Sequence, residues 1–200
     1  MICGIDEAGR GPLAGPVCAA AVALPADFPQ GCLGDSKKLS PSRREKARVL
    51  ISEGALGWGI GWASVTEIDT LNILQASLLA MKRAFEAMLL QWPGGLELDE
   101  AVIDGKQVPS LPIPCRGLVK ADSLIPEVMA ASILAKTARD QLMNYYAQLY
   151  PEYGYANHKG YPTKEHRENI ARYGPSPIQR NSFTVKPAHT GTEEPPYLFS

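Results

Sequence analysis

The sequence predicts a mixed α/β domain built around one sheet, on three observations. Three apolar, strand-length segments crowd the first 65 residues. A long stretch with apolar residues at every third and fourth position follows. Two more short apolar segments then precede helical segments that fill the last third of the chain.

Residues 1–6, MICGID, read as a strand that ends in acids, followed by the turn signals of AGRGPLAGP. Residues 17–25, VCAAAVALP, are a short apolar run suited to a buried strand, and 25–40 are loop. Ser40-Pro41 offers an N-cap with proline at the first helical position, opening a helix to about Glu53. In ALGWGIGWASV (55–65) Trp58 and Trp62 lie four apart on a third strand and share a face. Thr66 or Asp69 starts one helical region that runs to Trp92 and is stopped by Pro93-Gly94-Gly95. EAVIDG (100–105) is a fourth strand, and RGLVKADS (116–123) a fifth; each ends in an acid. Pro126 opens a long helix to Tyr150, and TKEHRENIARYG (163–174) is a last helix closed by Gly174-Pro175. The expected organisation is a single domain over 1–183 and a flexible tail over 184–200, where prolines abound and apolar residues are few.

With 45% hydrophobic and 20% charged residues the body is globular, and no apolar run is long enough to span a membrane. Nothing at the N-terminus marks the chain for export. The four cysteines show no C-x-x-C pairing, so they read as reduced thiols of a cytoplasmic protein, buried as small hydrophobes. The net charge of −1 conceals an asymmetry: residues 1–115 hold 10 Lys/Arg against 13 Asp/Glu, whereas 116–190 hold 10 against 6. The densest basic run, SKKLSPSRREKAR (36–48), suits a solvated helix face as well as a phosphate-binding patch.

The acids carry the chemistry. Asp6, Glu7, Asp104 and Asp122 each stand at or just past the end of an apolar strand. One such aspartate is ordinarily a turn former or a helix N-cap. Three strand ends finishing this way in one domain point further. On neighbouring strands the carboxylates converge, and unpaired they would repel one another and take up protons. A divalent cation removes that cost, and hard oxygen ligands without His or Cys select Mg²⁺ or Mn²⁺ over zinc. Two such ions can activate a water and stabilise a leaving 3′-oxygen. A glycosidase also uses paired carboxylates, but it needs neither a metal cluster nor the Gly9-Arg10-Gly11 loop that follows these acids.

The motifs GIDEAGRGPLAGPV, DSKKLS, VIDGK, VKADS, ASILAKTARD and HKGYPTKEH occur in the order and spacing of bacterial ribonuclease HII, a type 2 ribonuclease H, and the chain resembles that family from about residue 2 to Phe183. The resemblance implies a ribonuclease H-like fold, a five-stranded mixed sheet flanked by helices with a helical C-terminal region. It implies an endonuclease that hydrolyses the RNA strand of RNA/DNA hybrids and nicks 5′ of single ribonucleotides in duplex DNA, leaving 5′-phosphate and 3′-hydroxyl ends. It implies Mg²⁺ or Mn²⁺, two ions with substrate bound, on Asp6, Glu7, Asp104 and Asp122. Gly9, Arg10 and Gly11 match the loop that senses the 2′-hydroxyl, and Tyr161 the ring that stacks on the following sugar. Such an enzyme acts on hybrids and on duplexes containing ribonucleotides, with no membrane partner, and a monomer is the expected state.

Physical chemistry agrees with these assignments. A 2′-hydroxyl, both donor and acceptor, distinguishes RNA from DNA at one nucleotide, and glycines let backbone approach it closely. Lys37 and Lys38, with the cations at 43–48, are then contacts to the DNA strand backbone, positioning the duplex without reading sequence, and Ser36 either bonds a phosphate or serves a plain turn. Lys136 and Arg139 either face the groove or sit on a plain helix surface, and Asp140 is a candidate partner of the metal site. The family often has a histidine where this chain has Gln179, in PIQRNSF. Two other readings stand beside the endonuclease: a hybrid-binding module without catalysis, and a nuclease of this fold class acting on DNA alone. Four retained acids disfavour the first, since a mere binder gains nothing from negative charge beside phosphates. Gly9-Arg10-Gly11 with Tyr161 disfavours the second.

Overall fold

The computed structural model describes residues 1–36, 38–93 and 95–184. Its strands are β1 (Ile2–Ala8), β2 (Val17–Ala23), β3 (Gly57–Ala63), β4 (Glu100–Asp104) and β5 (Cys115–Leu118). Its helices are α1 (Pro41–Gly54), α2 (Val65–Leu71), α3 (Ile73–Leu89), α4 (Pro126–Leu149), α5 (Tyr155–His158) and α6 (Lys164–Tyr173). They form a mixed sheet in the order β3-β2-β1-β4-β5, antiparallel across β1, β2 and β3, and parallel from β1 through β4 to β5. The expected five-stranded mixed sheet with flanking helices and a helical C-terminal region is what forms.

Strand alternation sorts the side chains into two layers. Cys3 and Ile5 of β1 join the odd-numbered residues of β2 and the Ala76–Met88 side of α3 in one core. Cys18, Ala20 and Val22 of β2 face α1 and α4 in the other. The alanine-rich β2 is buried on both faces, so helices approach it closely from each side. Gly59 and Gly61 let α3 lie against β3, since a Cβ at either would overlap the α3 backbone. Phe85 is the largest fully buried apolar side chain in the α3 layer, and truncating it to alanine would cost about 3–5 kcal/mol. Trp58 and Trp62 do share a face, packing with Ile60 on the α1–α4 side.

Four boundaries differ from the sequence reading. β1 runs two residues beyond Asp6, so both acids lie within the strand, opposite Ala20 and Ala19. The single helix expected from residue 66 to 92 breaks at Asn72 (φ +73°), whose side chain caps α3 by accepting from the N–H groups of Leu74 and Gln75. Capping and a left-handed asparagine outweigh continuous periodicity there. β5 stops at Leu118, and Asp122 sits four residues on, in a 3₁₀ turn over Ala121–Ser123. α5 was not expected at all, being one turn between glycine and lysine in left-handed conformation. The expected tail, apart from Thr184, lies outside the described residues. Among the described residues no helix is long and apolar enough to cross a membrane.

Candidate active site

Asp6 lies on the α4 face of β1, buried beneath that helix. β1 and β4 run parallel with Ile5 opposite Ile103, so Asp104 stands beside Asp6 one residue further on, about 4.8 Å away along the sheet. Asp104 Oδ1 accepts the Ala121 N–H at 2.8 Å, which fastens the 3₁₀ turn bearing Asp122 to the end of β4. Asp6 Oδ1 accepts the Glu7 N–H at 2.7 Å, and Ser132 of α4 hydrogen-bonds the same carboxylate. The fold thus draws three chain segments to one spot.

Electrostatics there is unfavourable by construction. Burial holds the Asp6 carboxyl well above its usual range, and the charges of Glu7 and Asp104 push it further. Burial raises Glu7 too; Arg10 opposes this through an ion pair at 3.3 Å, while Asp104 adds to it. Glu7 Oε2 is buried with no hydrogen-bond partner among the described residues. Among those residues no group of three or more His, Cys, Asp or Glu forms a ready-made metal cluster. Mutually repelling oxygen donors, one of them orphaned, still fit Mg²⁺ or Mn²⁺, which take one or two carboxylates and leave the remaining shell to water and phosphate.

Beside the acids opens a cleft of about 500 Å³. Glu7, Gly9, Arg10 and Gly11 line it together with Ser132 and Lys136 of α4, and with Ser36, Arg44 and Tyr161. A Cβ built on Gly11 would come within 3.6 Å of the Tyr161 ring, so loop and ring face each other. The ring is 40% exposed while its backbone is pinned: Tyr161 N–H donates to the His158 carbonyl at 2.8 Å, and His166 Nδ1 donates to the Tyr161 carbonyl at 3.0 Å. His166 in turn stacks on His158, centroids 4.4 Å apart.

Of the basic candidates, Ser36 is buried, its hydroxyl 2.9 Å from that of Ser132. Lys38 is solvent-exposed, pairs with Asp35 at 3.4 Å and does not line the cleft. Lys37 lies outside the described residues. Arg44 and Lys136 do line it, both held by Asp140 at 2.9 and 2.7 Å. Asp140 therefore organises cations, where a partner of the metal site had been expected. Arg139 corrects both sequence readings: it faces neither groove nor solvent but is buried, with Arg180, beneath the glycine loop. No local pattern announces this, because both arginines act through tertiary contacts to backbone carbonyls. Gln179 is buried with both amide atoms unpartnered among the described residues.

A ribonuclease HII family profile matches residues 3–186. The chain is 53% identical over 196 residues to a ribonuclease HII of Treponema denticola, spanning 93% of this chain and 99% of that one. It is 52% identical over 182 residues to a ribonuclease HII of Moorella thermoacetica, spanning 91% and 85%. The solved ribonuclease H2 of Pyrococcus horikoshii OT3 superposes with a TM-score of 0.70 at 25% identity, spanning 92% of this chain and 94% of that one. With the sheet order and the converging acids, these matches place the chain in the ribonuclease HII family, whose members are metal-dependent endoribonucleases acting on RNA/DNA substrates.

Proposed function

We propose that this chain, besides cutting the RNA strand of RNA/DNA hybrids, nicks duplex DNA on the 5′ side of single embedded ribonucleotides, leaving a 5′-phosphate and a 3′-hydroxyl. The observation that carries the reading is the cleft itself. Buried acids that repel one another adjoin a Gly-Arg-Gly loop, and an exposed tyrosine ring stands beside that loop on the same cleft.

Asp6, Glu7, Asp104 and Asp122 hold Mg²⁺ or Mn²⁺, two ions when substrate is present. When bound, such ions supply an activated water and stabilise the leaving 3′-oxygen. The remaining work falls to the chain. Ser132, bonded to both Ser36 and Asp6, fixes the Asp6 carboxylate. Arg10 offsets the Glu7 charge and, half-exposed, reaches towards phosphate. Gly9-Arg10-Gly11 meets the 2′-hydroxyl, and Tyr161 packs flat on the next sugar, where an added hydroxyl would hinder it. Lys37 and Lys38 grip the DNA strand backbone. The enzyme acts as a monomer in the cytoplasm.

A DNA duplex with one ribonucleotide, incubated with Mg²⁺ or Mn²⁺, tests this. Nicking 5′ of the ribonucleotide supports it. Binding without cleavage would make the chain a hybrid-binding module, and cleavage indifferent to the 2′-hydroxyl would make it a DNA nuclease.

A further inference from the structure

Two arginines lie under the glycine loop, and every hydrogen bond their guanidinium groups make among the described residues ends on a backbone carbonyl. Arg180 is completely buried. Its Nη2 donates to the carbonyls of Gly9 (2.6 Å) and Pro16 (3.3 Å), its Nη1 to that of Arg10 (3.0 Å), and its Nε to that of Gly15 (2.8 Å). Arg139, 1% exposed, donates to Pro16 and Ala14 of the same loop and to Lys159, two residues before Tyr161. Gly9 (φ +102°) has no room for a Cβ because Arg139 occupies the space.

Two buried cations side by side are costly, and burial, followed by the charge of Arg139, pulls Arg180 down to about 9. Seven charge-assisted hydrogen bonds offset that cost. A loop could be held more cheaply by neutral groups, so the position of the charges asks for a reason.

The reason lies in peptide geometry. In a trans peptide the C=O and N–H point in opposite directions, and no peptide bond among the described residues is cis. Arg180 draws inward the carbonyls of Gly9 and Arg10, the two peptides that carry the N–H groups of Arg10 and Gly11. Those N–H groups therefore face the other way, towards the cleft that Gly9, Arg10 and Gly11 line.

We infer that Arg180, braced by Arg139, is the positioning residue of the ribonucleotide-sensing loop: by taking its carbonyls from below, it presents the Arg10 and Gly11 N–H groups as a fixed donor pair to the substrate oxygen. This rests on the function proposed above. The Arg139 bond to Lys159 ties the same brace to the segment carrying Tyr161, so loop and ring keep their spacing. Phe183, 5.1 Å from the Arg180 guanidinium by ring centroid, covers the brace from the far side.

The test compares wild type with Arg180→Lys, which keeps the charge but cannot serve four carbonyls at once. Cleavage is measured on duplexes with and without a single ribonucleotide, and backbone order at Arg10 and Gly11 by NMR relaxation. The expected result is a preference for the ribonucleotide duplex reduced at least about tenfold, which at 1.36 kcal/mol per decade is about 1.4 kcal/mol of lost discrimination. An unchanged preference in folded Arg180→Lys overturns the inference. Should the wild type show no preference, the functional reading fails, and backbone order decides the inference alone. Amide order parameters at Arg10 and Gly11 that fall from rigid values of about 0.85 towards about 0.6 in the variant support it; equal values overturn it. Should Arg180→Lys not fold, the wild type is titrated with both duplexes under Ca²⁺ and followed by amide NMR. Shifts at Arg10 and Gly11 for the ribonucleotide duplex alone support the inference, and any other pattern overturns it.

Discussion

Asp104 stands beside Asp6 because two parallel strands keep register: Ile5 pairs with Ile103, and each acid is the next residue on the α4 side. Residues 98 positions apart in the chain are made neighbours by the β1–β4 pairing alone. The consequence is that Asp6, whose carboxyl burial already raises, also feels the like charges of Glu7 and Asp104, which raise it further. Ionising Asp6 in the folded chain is therefore costly, and a divalent cation bound beside it would offset that cost.

Asp6→Asn should therefore abolish cleavage while stabilising the chelator-treated protein at pH 7 by about 1 kcal/mol. The asparagine oxygen can still accept the Glu7 N–H, so the strand is not disturbed. Mg²⁺ should raise the melting temperature of the wild type, since it binds the folded chain, and should raise that of Asp6→Asn far less. Thermal melts with and without Mg²⁺ check both statements. Near wild-type cleavage by the variant would remove Asp6 from the metal site.

The two loop glycines should separate. Gly9→Ala forces a side chain into Arg139 at a φ of +102°, so a stability loss of about 3 kcal/mol or more is expected. Gly11→Ala meets nothing nearer than the Tyr161 ring at 3.6 Å, and its stability should stay within about 1 kcal/mol of wild type. Its added methyl stands where substrate must approach, so KM for the ribonucleotide duplex should rise at least about tenfold. Urea unfolding and steady-state kinetics on the two variants decide it; equal stabilities would refute the assignment of Gly9 to Arg139.

The contrast between Gly9 and Gly11 shows what sequence could and could not tell. Both glycines read alike as allowing close approach of substrate, yet one is small for the sake of a buried arginine 130 residues away. The strands, the helix capped at Ser40 and the acids were legible because their signals are local: alternation, a proline after an N-cap, carboxylates after apolar runs. The break at Asn72 was hidden by uninterrupted apolar periodicity on both sides. Arg44, Arg139 and Arg180 were cations of undetermined direction until tertiary packing turned the first to the cleft and the other two inward. Gln179 cannot be read from either side, since nothing in the structure explains an amide buried without a partner.

Asp140 holds Arg44 and Lys136 at the cleft, and on the function proposed above both cations would meet phosphate. Lys136→Ala should lower duplex affinity on ribonucleotide and all-DNA duplexes alike, because a phosphate contact carries no sequence or sugar information. The slope of log affinity against log salt should fall by about 0.9. Asp140→Asn keeps the shape but frees both cations, and should raise KM several-fold with kcat nearly unchanged. Binding titrations at three salt concentrations check the first, and a slope identical to wild type would leave Lys136 a plain surface lysine.

The stacked pair His158 and His166 gives the fold a calculable dependence on acid. Burial lowers the pKa of both rings, and for His166 the neighbouring His158 lowers it further. His158 Nδ1 accepts the Gly160 N–H, and its Nε2 donates to the Tyr153 carbonyl, so the neutral ring satisfies both nitrogens. A second proton on that ring would have to displace the Gly160 bond. Above the unfolded-state value of about 6.5 neither ring binds a second proton in either state, and the pair adds no slope of its own. As pH falls below that value the unfolded chain protonates these rings first, so the pair's contribution to stability drops by up to about 1.4 kcal/mol per pH unit for each ring until the folded rings protonate, against the opposite trend of the raised Asp6 and Glu7 carboxyls. Urea midpoints between pH 7.5 and 5 are compared for wild type and His158→Asn, and the stability difference between them should shift against the wild type as pH falls. A difference that stays constant with pH would show that other groups govern the acid sensitivity.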